Sequence, residues 1–255
     1  MMWPGLIGGN LGYSLLQRVS DGNETGTYCD SSAYTDKSKL QHLFGDQIWD
    51  SIKGRTVLDF GCGSGTEVIE MAKQGAAKVI GVDCREKVLD KGRQKAAESG
   101  VSEICEFTTQ CEELVDVAFS IDGFEHYDNP AQAMSLLKRH LKIGGRLNIS
   151  FGPPWFHPYG GHLFSVFPWA HLIFTERALL KWRADFKSDG ATRFHEVEGG
   201  LNQMSVRQFR KLVRNDDFLV QSLDMVPIRG MYWLSNPMTR EFVTSVIHCV
   251  LVRAE

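Results

Sequence analysis

Between residues 56 and 83 the chain reads TVLDFGCGSGTEVIEMAKQGAAKVIGVD: an apolar run holding an acid, glycines at alternate positions, a helical stretch, and a second apolar run ending in an acid. Thr56, Val57, Leu58 and Phe60 form a β-prone run, and Asp59 lies inside it, where a charge without a partner is costly. Gly61, Gly63 and Gly65 remove side chains where strand passes to helix, so backbone N–H groups can approach a ligand closely and positive φ carries little penalty. Val68, Met71 and Ala72 share one helical stripe, Gly75 supplies a stop, and Val79, Ile80 and Val82 run on to Asp83. The segment is expected to be a βαβ unit. Asp83, about 20 residues beyond the turn, suits the two hydroxyls of an adenosine ribose.

The spacing of the glycines separates possible ligands. A dinucleotide fingerprint runs G-x-G-x-x-G, and its last position here is Thr66, whereas D-x-G-x-G-x-G fits Asp59 to Gly65 throughout. With VLDFGCGSG as a first motif and IGVD as a second, the chain resembles the class I S-adenosylmethionine-dependent methyltransferases, in their small-molecule branch. The resemblance covers about residues 46 to 151 and again 201 to the end. It implies a Rossmann-like α/β fold: a seven-stranded, mostly parallel sheet with helices on both faces, the last strand antiparallel, and a helical lid inserted after the fifth strand. It also implies S-adenosylmethionine as cofactor, held by Asp59, Gly61, Cys62, Gly63, Gly65, Asp83 and Cys84. Residues 107 to 114 correspond to the stretch that frames the adenine, through Gln110 and Cys111. Gln110 stands where many relatives carry Asp, and its amide can still accept from the adenine amino group. Asp122, after the fourth strand, corresponds to the border of the methionine portion.

At 255 residues and 43% hydrophobic content, the chain can bury a substantial core without dividing into independent domains. A net charge of −3 with no basic block argues against a polyanion-binding surface, so no nucleic-acid partner is expected. The N-terminal stretch has neither a basic leader nor a long apolar run, so no export signal and no membrane span are expected. The six cysteines contain no C-x-x-C pair and are read as reduced thiols of a cytoplasmic protein, with Cys62 filling space in the turn rather than acting as a nucleophile.

Beyond residue 85 the pattern alternates regularly. Helices are expected at 86–98 and at 130–142, the latter starting at Pro130, carrying Met134, Leu137 and Leu141 on one face and stopping at Gly144-Gly145. Strands are expected around 106–108, 116–121 and 147–151, and Ser205 caps a helix bearing Val206, Phe209 and Val213 before strands at 218–226 and 246–252. The organisation is therefore an N-terminal cap over residues 1–45, a cofactor-binding domain from 46–152 and 201–255, and an insert over 153–200. Tyr28 and Tyr34 in the cap are candidates to fold over the cofactor, with surface decoration as the competing reading.

The insert holds ten of the chain's 27 aromatic residues and four of its eight histidines. Trp155, Tyr159, Phe164 and Trp169 are candidate walls for a small, partly apolar or aromatic acceptor, or else the core of the lid itself. Methyl transfer is an in-line displacement that needs alignment and, for an oxygen or nitrogen acceptor, a base near neutrality. His126, His157 and His162 leave the carboxyl ends of adjacent strands and are the candidates. Joining them with Glu125 as metal ligands matches no compact zinc spacing, so no metal is expected. The expected activity is transfer of a methyl group to O or N of a small metabolite. C-methylation, a cyclisation, or a non-catalytic cofactor-binding module are the competing readings, and the oligomeric state is not readable.

Overall fold

A computed structural model describes residues 5–20, 38–197, 199–214 and 217–255. Tyr28 and Tyr34 lie outside the described residues. In chain order the elements are α1 (Gly9–Val19), α2 (Lys39–Phe44), α3 (Ile48–Ile52), β1 (Thr56–Phe60), α4 (Thr66–Lys73), β2 (Lys78–Val82), α5 (Glu86–Glu98), β3 (Cys105–Thr108) and β4 (Val115–Ile121). They continue with α6 (Pro130–His140), β5 (Leu141–Phe151), α7 (Ala170–Ile173), α8 (Glu176–Arg183), α9 (Val206–Leu212), β6 (Phe218–Pro227), α10 (Arg240–Val243) and β7 (Thr244–Arg253).

The strands form one seven-stranded sheet in the order β3-β2-β1-β4-β5-β7-β6. Pairings from β3 across to β5 are parallel, and β7 inserts antiparallel between β5 and β6. Period-two alternation sends successive residues to opposite faces. Val57, Val79, Val117 and Phe119 pack with α3, α4 and α5 on one side, through Ile52, Met71 and Leu89. Leu58, Ile80, Ala118 and Leu147 pack with α6 and α9 on the other, through Leu137 and Phe209. Both faces of the sheet are covered, as a parallel sheet requires.

One expected boundary is corrected. The helix beginning at Pro130 ends at His140, and Leu141 opens β5 opposite Val115. The β4–β5 register then jumps to Val117 opposite Arg146, so residues 142–145 form an excursion, exposed over 142–144, in which Gly144 adopts φ 73°. Leu141 is fully buried, as the helical stripe required, and a strand end satisfies that burial as well as a helix turn does.

The insert has its own core. Trp155, Phe164, Phe174, Leu179, Trp182, Phe194 and Leu201 cluster with Leu16 of α1. Backbone bonds from Leu6 and Ile7 to Ile173, and from Thr175 to Ile7, tie the chain's first described residues to this unit. The cap expected at the N-terminus is thus divided: α1 packs with the insert, while α2 packs against the sheet, where Phe44 meets Phe119 edge-on at 5.9 Å.

Candidate active site

The three glycines of the turn all take left-handed backbone angles, with φ of 87°, 52° and 74° at Gly61, Gly63 and Gly65. At two of them space is also closed. A Cβ on Gly65 would lie 2.3 Å from Phe107, and one on Gly61 would lie 2.8 Å from the Tyr127 hydroxyl. The loop is seated on the end of β2 by N–H bonds from Gly61 and Cys62 to the Val82 carbonyl. Cys62 is buried, and desolvation, its largest influence, pushes its thiol far above the ordinary range.

Asp83 ends β2 beside this turn. Its carboxylate accepts from the Gly63 N–H at 3.1 Å, from the Arg85 N–H at 3.0 Å, and from Arg85 Nε and Nη2 at 3.0 and 3.1 Å. Burial, the largest single influence, acts to raise its pKa. The Arg85 and Gly63 donors together outweigh it and hold the carboxyl below its usual value. Arg85 is the feature that the sequence reading passed over: two positions beyond Asp83, it forks back onto that carboxylate.

Asp59 is buried mid-strand between Gly81 of β2 and Phe119 of β4. Desolvation raises its pKa strongly, Glu67 and Asp83 add to the effect, and the Lys39 charge opposes it. Lys39, at the start of α2, lies 2.5 Å from Asp122 and 3.9 Å from Glu67, so a cap residue reaches the turn and the loop after β4 together. Asp122 itself takes φ 49° and turns the chain off the end of β4, with its N–H on the Ser150 carbonyl.

A cavity of about 670 Å³ opens at these strand ends, within the range of small-ligand sites. Of the residues expected to hold a cofactor, Gly61, Asp83, Cys84, Gln110, Cys111 and Asp122 line it; of the candidate bases, His126 does. Asp59, Cys62, Gly63 and Gly65 lie behind this lining as its frame. Tyr127, absent from the sequence reading, also lines it. Its hydroxyl donates to the Phe60 carbonyl at 2.7 Å and meets Ser120 at 2.8 Å, which fixes the ends of β1 and β4 relative to each other.

The histidines differ in what they can do. His126 Nδ1 lies 2.7 Å from the Gly200 carbonyl, which can only accept, so Nδ1 carries the proton and Nε2 the lone pair. His157 Nδ1 accepts from the Tyr159 N–H at 3.1 Å, so its Nε2 carries the proton, 3.4 Å from Ser245. His162 stacks edge-on against His126 at 5.3 Å, with its Nδ1 buried and unpartnered among the described residues. Desolvation lowers His157 and His162 to about 4, as it does His171. Glu125 is buried as well. Its Oε1 accepts from the Gly152 N–H at 3.3 Å, its Oε2 has no partner among the described residues, and desolvation raises the carboxyl to about 8.

The four candidate acceptor-contacting residues do not line the cavity. Trp155 and Phe164 belong to the core of the insert. Tyr159 sits beside His157, with ring centres 6.2 Å apart, and Trp169 is 39% exposed with its indole N–H on the Phe156 carbonyl. No group of three or more His, Cys, Asp or Glu among the described residues is arranged to hold a metal ion.

Residues 58–149 match the family described as a methyltransferase domain. Among curated proteins, the chain is 33% identical over 100 residues to the ribosomal protein L11 methyltransferase of Pectobacterium carotovorum, covering 39% of this chain and 34% of that one. The chain thus spans about a third of the length of such relatives. Among solved structures it is similar to an S-adenosylmethionine dependent methyltransferase from Mesorhizobium loti, with TM-score 0.53, 15% identity and coverage of 80% and 93% of the two chains. It is also similar to the magnesium protoporphyrin IX methyltransferase of Synechocystis PCC 6803 with bound S-adenosylhomocysteine, with TM-score 0.51, 20% identity and coverage of 95% and 94%. Strand order and these likenesses show that the chain has the class I S-adenosylmethionine-dependent methyltransferase fold, with residues 58–149 similar to a methyltransferase domain.

Proposed function

We propose that this protein binds S-adenosylmethionine in the cavity at the ends of β1, β2 and β4 and transfers its methyl group to a small, partly apolar acceptor held beneath the insert. The observation that carries the reading is the left-handed, side-chain-free turn at Gly61, Gly63 and Gly65 beside the Asp83 carboxylate. A turn without side chains lets a ligand approach the backbone closely, and an ionised acid beside it suits the hydroxyls of a ribose. When bound, S-adenosylmethionine supplies a sulfonium methyl group, which the acceptor's lone pair takes as the carbon–sulfur bond breaks toward sulfur.

The residues of the chain then have separate tasks. Asp83 orients the ribose, Gln110 and Cys111 border the base, and Asp122 with Lys39 borders the amino-acid end. The insert, residues 153–200 together with α1, excludes water and aligns the acceptor, which supplies much of the rate in such a displacement. His126 takes the acceptor's proton on Nε2, because its Nδ1–H is held by Gly200 and it lines the cavity. His157 has both nitrogens engaged, and at about 4 it and His162 are weak bases at neutral pH, so they serve to shape the lid.

The test combines calorimetry with S-adenosylhomocysteine and mass analysis of candidate products. His126→Gln should lower kcat at least tenfold while leaving cofactor affinity unchanged. Unchanged turnover in His126→Gln would remove the base and leave alignment alone as the mechanism.

A further inference from the structure

The connection between β6 and β7 carries an exposed apolar tip that the cofactor and acceptor sites do not use. Trp233 is 79% exposed, Met238 86% and Tyr232 64%, and Met231 and Phe242 are exposed beside them. These side chains are presented by an ordered scaffold. Ile228 N–H bonds the Val243 carbonyl at the neck, and Asn236 Oδ1 accepts from the Met238 N–H at 2.9 Å and the Thr239 N–H at 3.3 Å. Leu234 and Ser235 N–H groups close a tight turn on Met231 and Tyr232. A contiguous cluster of large apolar residues held in water marks a contact surface.

Charge and residue type select the contact. Residues 228–243 contain Arg229, Arg240 and Glu241 as their charged groups. Both oxygens of Glu241 are turned onto the Val206 and Arg207 N–H groups at the start of α9, with the Arg207 and Arg240 charges near it, and the two arginines leave residues 228–243 with one net positive charge. A chain of net charge −3 thus has a positively charged apolar point. Trp and Tyr have an apolar body with a polar handle and suit a lipid–water boundary, and arginines at the same level suit anionic headgroups. A second copy of the chain is the poorer match, since a twofold contact on this patch would set the arginines of one copy against those of the other. No helix among the described residues is long and apolar enough to cross a membrane. The tip also touches the insert: Phe242 packs on Phe156 with ring centres 5.8 Å apart.

We propose that the β6–β7 tip docks this protein on an anionic lipid surface, with Trp233, Tyr232 and Met238 entering the headgroup boundary and Arg229 and Arg240 pairing with lipid phosphates, which brings the insert close to the membrane. This site is independent of the methyl-transfer reading. The experiment is co-sedimentation of the full chain with phosphatidylcholine vesicles, with and without a minority of phosphatidylglycerol, together with tryptophan emission. Binding is expected on the anionic vesicles with a blue-shifted emission. It should fall at least tenfold in W233S/M238S and about fivefold per arginine in R229Q and R240Q, and it should weaken with salt. Trp233→Phe should retain binding and lose the emission shift, which keeps the test open should the double variant misfold. Calorimetry with S-adenosylhomocysteine on each variant separates failure of docking from failure of the cofactor site. Absence of sedimentation with either vesicle, equal binding by W233S/M238S, or a concentration-dependent dimer that those substitutions abolish would each overturn the proposal.

Discussion

In the proposed cofactor site Asp83 orients the ribose, so the Arg85 fork competes with that sugar for the carboxylate, and this makes Arg85→Ala an informative perturbation. The fork makes two charge-assisted bonds, at 3.0 and 3.1 Å, from a guanidinium whose side chain is 56% exposed to a carboxylate that is 7% exposed. Water solvates the guanidinium readily once it is released, so the pair is worth about 1 kcal/mol, the upper end for exposed pairs because the contact is bidentate. Removing it should tighten S-adenosylhomocysteine binding about fivefold. It should also lower the thermal stability of the cofactor-free protein, and saturating cofactor should erase that difference. Calorimetry of wild type and Arg85→Ala at low and high salt is the assay. Wild-type affinity should rise with salt, as screening weakens the competing pair, and the variant should show less of this rise. Equal or weaker binding by Arg85→Ala would refute the reasoning, because it would make the arginine neutral or a ligand of the cofactor rather than its competitor.

Gly65→Ala should abolish measurable cofactor binding and lower Tm, since φ of 74° disfavours any Cβ and the new methyl would sit 2.3 Å from Phe107. Wild-type affinity in that variant would show that the turn need not keep this shape. Glu125 has its folded-state pKa raised to about 8, with desolvation as the largest cause and the Asp122 charge second. A raised carboxyl contributes stability that is present below the ordinary carboxylate range and lost as pH climbs through about 8. Glu125→Gln should therefore remove a loss on the order of a few kcal/mol between mildly acidic and mildly alkaline pH, read from denaturant midpoints across that range. Parallel pH profiles for the two proteins would contradict a buried, titrating carboxyl.

The βαβ unit was legible because its signals are local. Gly61, Gly63 and Gly65 report backbone angles, and the acids at positions 59 and 83 report what the strand ends face; neither depends on distant contacts. The seven-stranded, mostly parallel sheet with its last strand antiparallel came through the resemblance and is observed. The end of α6 was misread because Leu141 continues a stripe begun by Met134 and Leu137, and burial at the first residue of a strand satisfies the same apolar requirement. Long-range geometry accounts for what stayed hidden. Lys39 approaches Asp122 across 83 positions, Tyr127 pins β1 from 67 positions away, and the lid core joins Leu16 to Trp182, none of which periodicity can encode. The aromatic richness of 153–200 was visible, but whether Trp155 and Phe164 face a cavity or one another is decided by packing partners. Tyr232, Trp233 and Met238 could equally have been buried, and only the folded hairpin presents them to solvent.

The most direct measurement is calorimetric titration of the wild-type chain and Asp83→Asn with S-adenosylhomocysteine. The substitution removes the charge that the Gly63 N–H and the Arg85 fork stabilise while keeping the side chain's shape. Saturable binding to the wild type, weakened at least tenfold by Asp83→Asn, is the predicted result. No heat with the wild type, or equal affinity in both proteins, would contradict the claim that the glycine turn and the acid at the end of β2 form the cofactor site.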